Sequence, residues 1–316
     1  MTHDHGHHHS HGHSHHGHHG HNHAPASFGR AFAIGTALNL GFVIVEAVYG
    51  YLAHSLALFA DAGHNLGDVF GLVLAWGASV LARRPPTKRY TYGLRGSSIL
   101  AALVNAIVLL LSMGAIAWEA IRRFSNPRPV SGGTLIGVAV VGIIINTITA
   151  LMFMSGRKGD LNIRGAFLHM AADAMVSLGV VLAGIAILVT HWLWIDPVVS
   201  LILVVVVVVG TWQLLRDSVN LALDAVPEGI EPQAVQTYLA ERPGVCQVHD
   251  LHIWAMSTTE TALTVHLVIP EGYPGDAFLS QVCKELHHHF GIEHSTIQVE
   301  TGDSDHPCTL EPDHVV

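Results

Sequence analysis

Charge is scarce in this chain. Asp, Glu, Lys and Arg make up only 12% of its 316 residues, about half the share of an ordinary soluble domain. Such a composition excludes a water-facing surface over most of the length, and nothing in it calls for a nucleic-acid partner. Cysteine is also rare: Cys246, Cys283 and Cys308 all lie beyond the last long apolar block. They fall on the reducing side of the topology argued below, so a disulfide framework is not expected. No H-E-x-x-H occurs, and no Ser or Cys nucleophile motif falls in the apolar blocks, which argues against an intramembrane hydrolase. A signal peptide is not expected either. The N-terminus has no basic region or short apolar core, and the first long apolar segment is a full span.

Long hydrophobic runs are what the chain has instead. Six blocks, at about 30–53, 56–82, 97–121, 133–155, 166–190 and 193–215, each approach the ~20 residues that cross a bilayer core as a helix. The expected fold class is therefore a six-span α-helical membrane protein. Arg83, Arg84, Lys88, Arg89 and Arg95 lie between the second and third blocks, and Arg157, Lys158 and Arg164 between the fourth and fifth. Only Arg122, Arg123 and Arg128 cluster in the loops of the other side. That bias puts both termini in the cytoplasm, and short loops suit a bacterial plasma membrane.

The ends differ from the middle. Residues 1–23 hold thirteen histidines and almost no apolar side chain, so residues 1–27 are expected to be a disordered cytoplasmic tail. The tail either solubilises the chain or traps zinc, copper or nickel loosely through neutral imidazoles. The membrane domain is taken as 28–220. From 227 to 302 a soluble pattern follows: an amphipathic segment from Glu231, alternating β-branched runs around His249 and His266, a second helix ending in His287, His288 and His289, and a last run to Glu300. The order αββαβ predicts a small two-layer α+β domain. The three histidines suit a helix C-terminus. Residues 303–316 read as a flexible tail, where Cys308 and His306 are too few to make a site.

The polar residues inside the spans carry the chemistry. His64 and Asp68 are four apart in the second block, and His169 and Asp173 repeat that spacing in the fifth. On a helix each pair shares a face. An ionisable group at mid-membrane costs ~2.5–3.5 kcal/mol on insertion scales, and four of them need a compensating partner. One divalent metal supplies it. Two neutral imidazoles and two carboxylates make a tetrahedral shell suited to zinc, and the charges of two Asp and one M2+ cancel. Without metal, two close buried carboxylates favour protons, so metal and protons compete for one set of atoms. Interhelical hydrogen bonding is the plain alternative for such residues, as for Asn105, Asn146, Thr147 and Thr149.

Asp61 could orient the His64 imidazole from behind or face water near the span's entrance. Asn39 and Glu46, seven apart in the first block, could line the same path or simply pack. His54 is expected at a solvent-exposed turn. His249 and His252 are an odd number of residues apart, so in a regular strand they point to opposite faces and do not share an ion.

The segments SLALFADAGHNLGD (55–68), RYTYG (89–93), GAFLHMAADAMVSLGV (165–180), VHDLHIWAM (248–256) and LTVHL (263–267) together resemble the cation diffusion facilitators, a family of zinc and related heavy-metal exporters. The resemblance implies a homodimer of six-helix membrane domains with ferredoxin-like cytoplasmic domains. It implies export of cytosolic Zn2+ against protons, with Cd2+, Co2+ or Ni2+ as further cargo, and no prosthetic group. By resemblance His64, Asp68, His169 and Asp173 are the transport site. It also favours His249, His266 and Glu300 as a cytoplasmic, regulatory zinc site, completed by His294 or by a ligand from the N-terminal tail. Two departures stand out. The loop 83–98 has no His or acid, so no loop metal site is expected, and Ser97 replaces an acid that many relatives carry. A buried Arg95–Asp224 bridge between membrane and cytoplasmic parts is a further expectation. A metal sensor without transport would explain the cytoplasmic domain but not the paired intramembrane motifs.

Overall fold

The computed structural model describes residues 26–154, 161–303 and 305–311; the histidine-rich segment 1–23 lies outside them. Six long helices come first: α1 (Ala26–Leu52), α2 (Leu56–Ala82), α3 (Ser97–Ser125), α4 (Gly132–Met154), α5 (Leu161–Thr190) and α6 (Ile195–Ala222). Among the described residues, α2 to α6 are long and apolar enough to cross a membrane, and the described apolar stretch of α1 is Thr36–Leu52. Large side chains such as Leu111 and Val189 are about three-quarters exposed on the outside of this bundle (70% and 75%). Lipid is the solvent that tolerates such a surface. The chain is a multi-pass membrane protein.

Without water between them, helices in a bilayer associate by close packing of small residues. On α2, Gly63, Gly67 and Gly71 are spaced by four and face α3. A Cβ at Gly67 would come within 2.2 Å of Leu109, and one at Gly71 within 2.8 Å of Asn105. Between α4 and α5 the backbones touch at Gly132 and Gly184, where a Cβ on Gly132 would meet the Gly184 carbonyl at 2.9 Å. The bundle core gathers Phe42, Leu58, Leu135, Val138, Val180 and Leu203.

Asp196, fully buried at the start of α6, ties the end of the bundle opposite the cytoplasmic domain. It accepts from Ser55 Oγ (2.5 Å), Leu56 N (2.8 Å) and Ala57 N (3.3 Å), and so caps α2, whose first N–H groups have no partner within the helix. Arg123 of α3 adds its charge at 3.5 Å and donates to the carbonyl of exposed His54. Neither Asp196 nor Arg123 stands out in the sequence. An acid just before Pro197 at the head of an apolar run was the available signal.

The cytoplasmic domain consists of α7 (Pro232–Ala240), β1 (Gln247–Ala255), β2 (Thr261–Val268), α8 (Asp276–Phe290) and β3 (His294–Glu300). The strand order is β1-β2-β3, with β1 antiparallel and β3 parallel to β2. This is the expected αββαβ sandwich, with Val235, Leu239, Leu263, Val265, Val282 and Leu286 filling the space between helices and sheet. Helix α8 ends on His287, His288 and His289 with Gly291 as its left-handed cap (φ 67°), where histidines suit the helix dipole.

The two parts meet through the loop before α3, and not as expected. Arg95 does not pair with Asp224. Its Nη1 lies 2.9 Å from Glu260 Oε1, and Ser98 Oγ accepts from Thr258 N at 3.0 Å. The turn between β1 and β2 rises to the loop, while Asp224 takes a left-handed conformation (φ 57°) in the turn that ends α6. Ser97 donates to the Ala78 carbonyl at 3.3 Å.

Candidate metal centres

The two HxxxD pairs lie on α2 and α5, which the sequence separates by two other helices. Their side chains converge. His169 Nε2 lies 3.2 Å from Asp68 Oδ2 and 3.5 Å from Asp173 Oδ2. His64 Nε2 lies 3.6 Å from Asp173 Oδ1 and 3.8 Å from Asp68 Oδ2. The imidazole centroids are 6.0 Å apart, edge to face. Tetrahedral zinc with bonds of ~2.0–2.2 Å separates its ligand atoms by roughly 3.3–3.6 Å. These imidazole–carboxylate spacings straddle that range; one ligand atom from each of Asp68, His169 and Asp173 falls within 4.8 Å of the others, and His64 stands just outside that tighter group. Asp173 is nearly fully buried, the other three partly so.

Behind this cluster, on the α1 side, is a second buried layer. Asp61 is 2% exposed, so it does not face water. Ser177 of α5 donates to its Oδ2 at 3.4 Å. Glu46 is fully buried and accepts from Asn65 Nδ2 at 3.3 Å, and Asn39 is buried on the same helix. Glu46 and Asn65 thus link α1 to the helix that carries His64 and Asp68.

A cavity of ≈260 Å³ touches Asp61, His64 and Asp68 and is rimmed by Asn105 and Leu214. The same two residues line a second cavity of ≈540 Å³ that extends to Arg95 and residues 257–260 at the cytoplasmic domain.

The other candidate centre lies on the sheet. His249 of β1 pairs in register with His266 of β2, and Glu300 ends β3 opposite Val268. His249 Nε2 is 3.4 Å from Glu300 Oε2, and His266 Nδ1 is 2.9 Å from Glu300 Oε1. The sequence reading missed the fourth member. Cys308 Sγ lies 3.5 Å from His266 Nδ1, and one ligand atom from each of His249, His266, Glu300 and Cys308 falls within 4.8 Å of the others. Residues 305–311 do not trail away as a loose tail. They turn back over the strand ends, with Gln247 Nε2 bonded to Glu311 Oε1 at 3.2 Å. Gly302 (φ 70°) makes the reversal, and a Cβ there would meet Val268 at 2.9 Å. His294 is not a neighbour of the cluster. It begins β3, six residues from Glu300, and its ring packs on Tyr92 at 5.6 Å. His306 bonds Asp303 at 3.0 Å.

A bulge between His249 and His252 breaks the alternation of β1. Asp250 takes φ 50° there, and bulges re-aim side chains in this way. Its carboxylate receives His252 Nε2 at 2.9 Å and faces His266 Nε2 at 3.4 Å, so His252 stays outside the cluster. Burial pushes the Glu300 carboxyl up. Hydrogen bonds from Cys308 and Gln298 and the two neighbouring imidazoles outweigh it, so its pKa is held below the ordinary range.

Comparison with known proteins agrees with this architecture. The family model "Cation efflux transmembrane domain" matches residues 32–221, and "Cation efflux protein, cytoplasmic domain" matches 227–302. The chain is 39% identical over 265 residues to zinc transporter ZitB of Escherichia coli, covering 83% of this chain and 84% of that one. It is 36% identical over 271 residues (84% and 87%) to a cadmium, cobalt and zinc/H(+)-K(+) antiporter of Bacillus subtilis. Over 285 residues (90% and 89%) it is 37% identical to the metal cation efflux system protein CzcD of Cupriavidus metallidurans. Helical membrane domain, α+β cytoplasmic domain and sequence likeness together identify the chain as a member of the cation diffusion facilitator family of metal cation efflux transporters.

Proposed function

We propose that this protein exports Zn2+ from the cytoplasm in exchange for protons, with His64, Asp68, His169 and Asp173 as the transport site. One observation carries the reading: two imidazoles and two carboxylates from non-consecutive helices approach one another at 3.2–3.8 Å, in the low-dielectric interior of a bundle. Neutral imidazoles and ionised carboxylates would take the metal as an uncharged assembly. When it leaves, like charge in a poorly solvated space draws protons onto the same atoms. The paired cavities that reach from residues 257–260 to His64 support loading from the cytoplasmic side. The opposite end, held by Asp196 and Arg123, must rearrange for release, as alternating access requires.

The names of the E. coli and B. subtilis relatives favour zinc, with cadmium and cobalt as further cargo. Imidazole nitrogens favour these ions over magnesium or manganese. The Lys/Arg bias and the bacterial relatives support a bacterial plasma membrane with both termini cytoplasmic. The cytoplasmic match, labelled ZT_dimer, supports a homodimer. His249, His266 and Glu300 form a second, regulatory metal site in this reading.

Zn2+ uptake into liposomes under an imposed pH gradient tests the proposal. Gradient-driven uptake in the wild type and none in Asp173→Ala is the expected result. Zinc binding without movement in the wild type would turn the case to a sensor.

A further inference from the structure

We propose that Cys308 is the fourth ligand of the cytoplasmic metal site, so that a thiophilic divalent cation such as Zn2+ or Cd2+ fastens the C-terminal segment onto the sheet. The inference rests on the regulatory-site reading of His249, His266 and Glu300 and adds to it the ligand, the class of metal and the mechanical consequence.

Three independent features point to a metal. The first is spacing. Zinc bonds of ~2.0–2.3 Å to N, O and S leave ligand atoms roughly 3.3–3.8 Å apart in a tetrahedron. Here Cys308 Sγ to His266 Nδ1 is 3.5 Å, His249 Nε2 to Glu300 Oε2 is 3.4 Å, and His266 Nδ1 to Glu300 Oε1 is 2.9 Å. The second is His249, only 6% exposed, with no hydrogen-bond partner on either ring nitrogen among the described residues. A buried imidazole is ordinarily satisfied, and a metal at the cluster satisfies it. The third is Asp250. Its carboxylate faces His266 Nε2 at 3.4 Å, so a proton on that nitrogen leaves the Nδ1 lone pair aimed at the cluster. Ligating histidines ordinarily carry such a partner.

Charge closes as well. As the Sγ–metal bond forms, the thiol proton leaves to solvent, which reaches the site through an open cavity lined by His249, Glu300 and Cys308. Two neutral imidazoles, one carboxylate and one thiolate then balance a divalent ion. Sulfur sets the chemical class, because thiolate selects soft and borderline cations. It also sets the consequence. Cys308 lies eight residues beyond Glu300, so its bond to the metal holds the segment that folds back at Gly302.

The test uses the full-length protein in detergent with Co2+ and Cd2+ as probes. Neither the intramembrane cluster nor residues 1–23 contains a cysteine, so a metal–thiolate charge-transfer band can come only from Cys308, Cys246 or Cys283, and the double variant of the last two isolates Cys308. The band should appear in wild type and in Cys246→Ser/Cys283→Ser, and vanish in Cys308→Ser. Cd2+ affinity of the cytoplasmic site should fall at least about tenfold in Cys308→Ser. Zn2+ should protect Cys308 from alkylation in wild type but not in His249→Ala. A band surviving in Cys308→Ser, or absent from metal-loaded wild type, overturns the assignment. If His249→Ala loses one bound metal while Cys308→Ser keeps it at wild-type affinity, Cys308 is no ligand but the regulatory site stands. If neither variant loses one, the site itself falls, and this inference with it.

Discussion

The two constellations of metal-capable side chains are built alike and differ in one atom. Each gathers two imidazoles and two groups able to carry negative charge from separate elements. Between α2 and α5 the anions are Asp68 and Asp173, and on the sheet they are Glu300 and Cys308. If the membrane cluster is the proposed transport site, it must release its ion on every cycle, which suits oxygen and nitrogen ligands that exchange metal for protons. If the sheet cluster is the proposed resident site, it has no such demand, and a thiolate raises its hold on zinc. The surroundings differ in the same sense. The membrane cluster borders buried acids on one side and a cavity toward the cytoplasm on the other, whereas the sheet cluster lies beneath a folded-back segment fixed at Gln247.

Removing a ligand from the membrane cluster should have the largest effect. Asp173→Ala should abolish zinc uptake in liposomes, beyond the ~10–100-fold cost of losing a mere orienting partner. The cobalt–thiolate band should persist in that variant. Loss of both at once would mean that the two regions are not separate sites. Asp196→Ala comes next. It strips α2 of its cap and removes one of the two carboxylates beside buried Arg123, which keeps Glu119 at 3.4 Å; losing such a buried partner typically costs about 1–3 kcal/mol. A lower thermal midpoint in detergent checks it, and a wild-type midpoint would refute the capping role.

His64→Asp sharpens the comparison by making the membrane cluster more oxygen-rich. Competition transport assays should show the preference for Zn2+ over Mn2+ falling about tenfold, since carboxylates suit harder ions than imidazole does. An unchanged ion profile would remove His64 from the ligand set. Arg95→Ala should have the smallest effect. Its pair with Glu260 is partly exposed and belongs to a class worth ~0.2–1 kcal/mol. At most a few-fold change in transport is expected, together with weaker regulation by metal bound at His249. If transport collapses, the contact couples the two domains far more strongly than a surface pair can.

Much of this was legible in the chain because it rests on local spacing. Apolar length marks helices, and a repeat of four is enough to put His64 on one face with Asp68 and His169 on one face with Asp173. The αββαβ order follows from periodicity and β-branched content alone. Arg95, Asp250 and Cys308 could not be read in this way, because their partners depend on how distant segments turn. Arg95 meets Glu260 because the turn between β1 and β2 rises to it. Asp250 reaches His266 because a bulge re-aims it. Cys308 joins His266 because Gly302 reverses the chain.

Composition and periodicity by themselves determined that this protein spans a membrane, that paired His and Asp residues lie within its spans, and that a small α+β domain follows. All three are properties of neighbours a few residues apart. Only the tertiary structure decided which atoms meet across helices and strands, and so which thiol joins the second cluster. Such contacts depend on backbone turns and close packing between segments far apart in the chain, which no local pattern records.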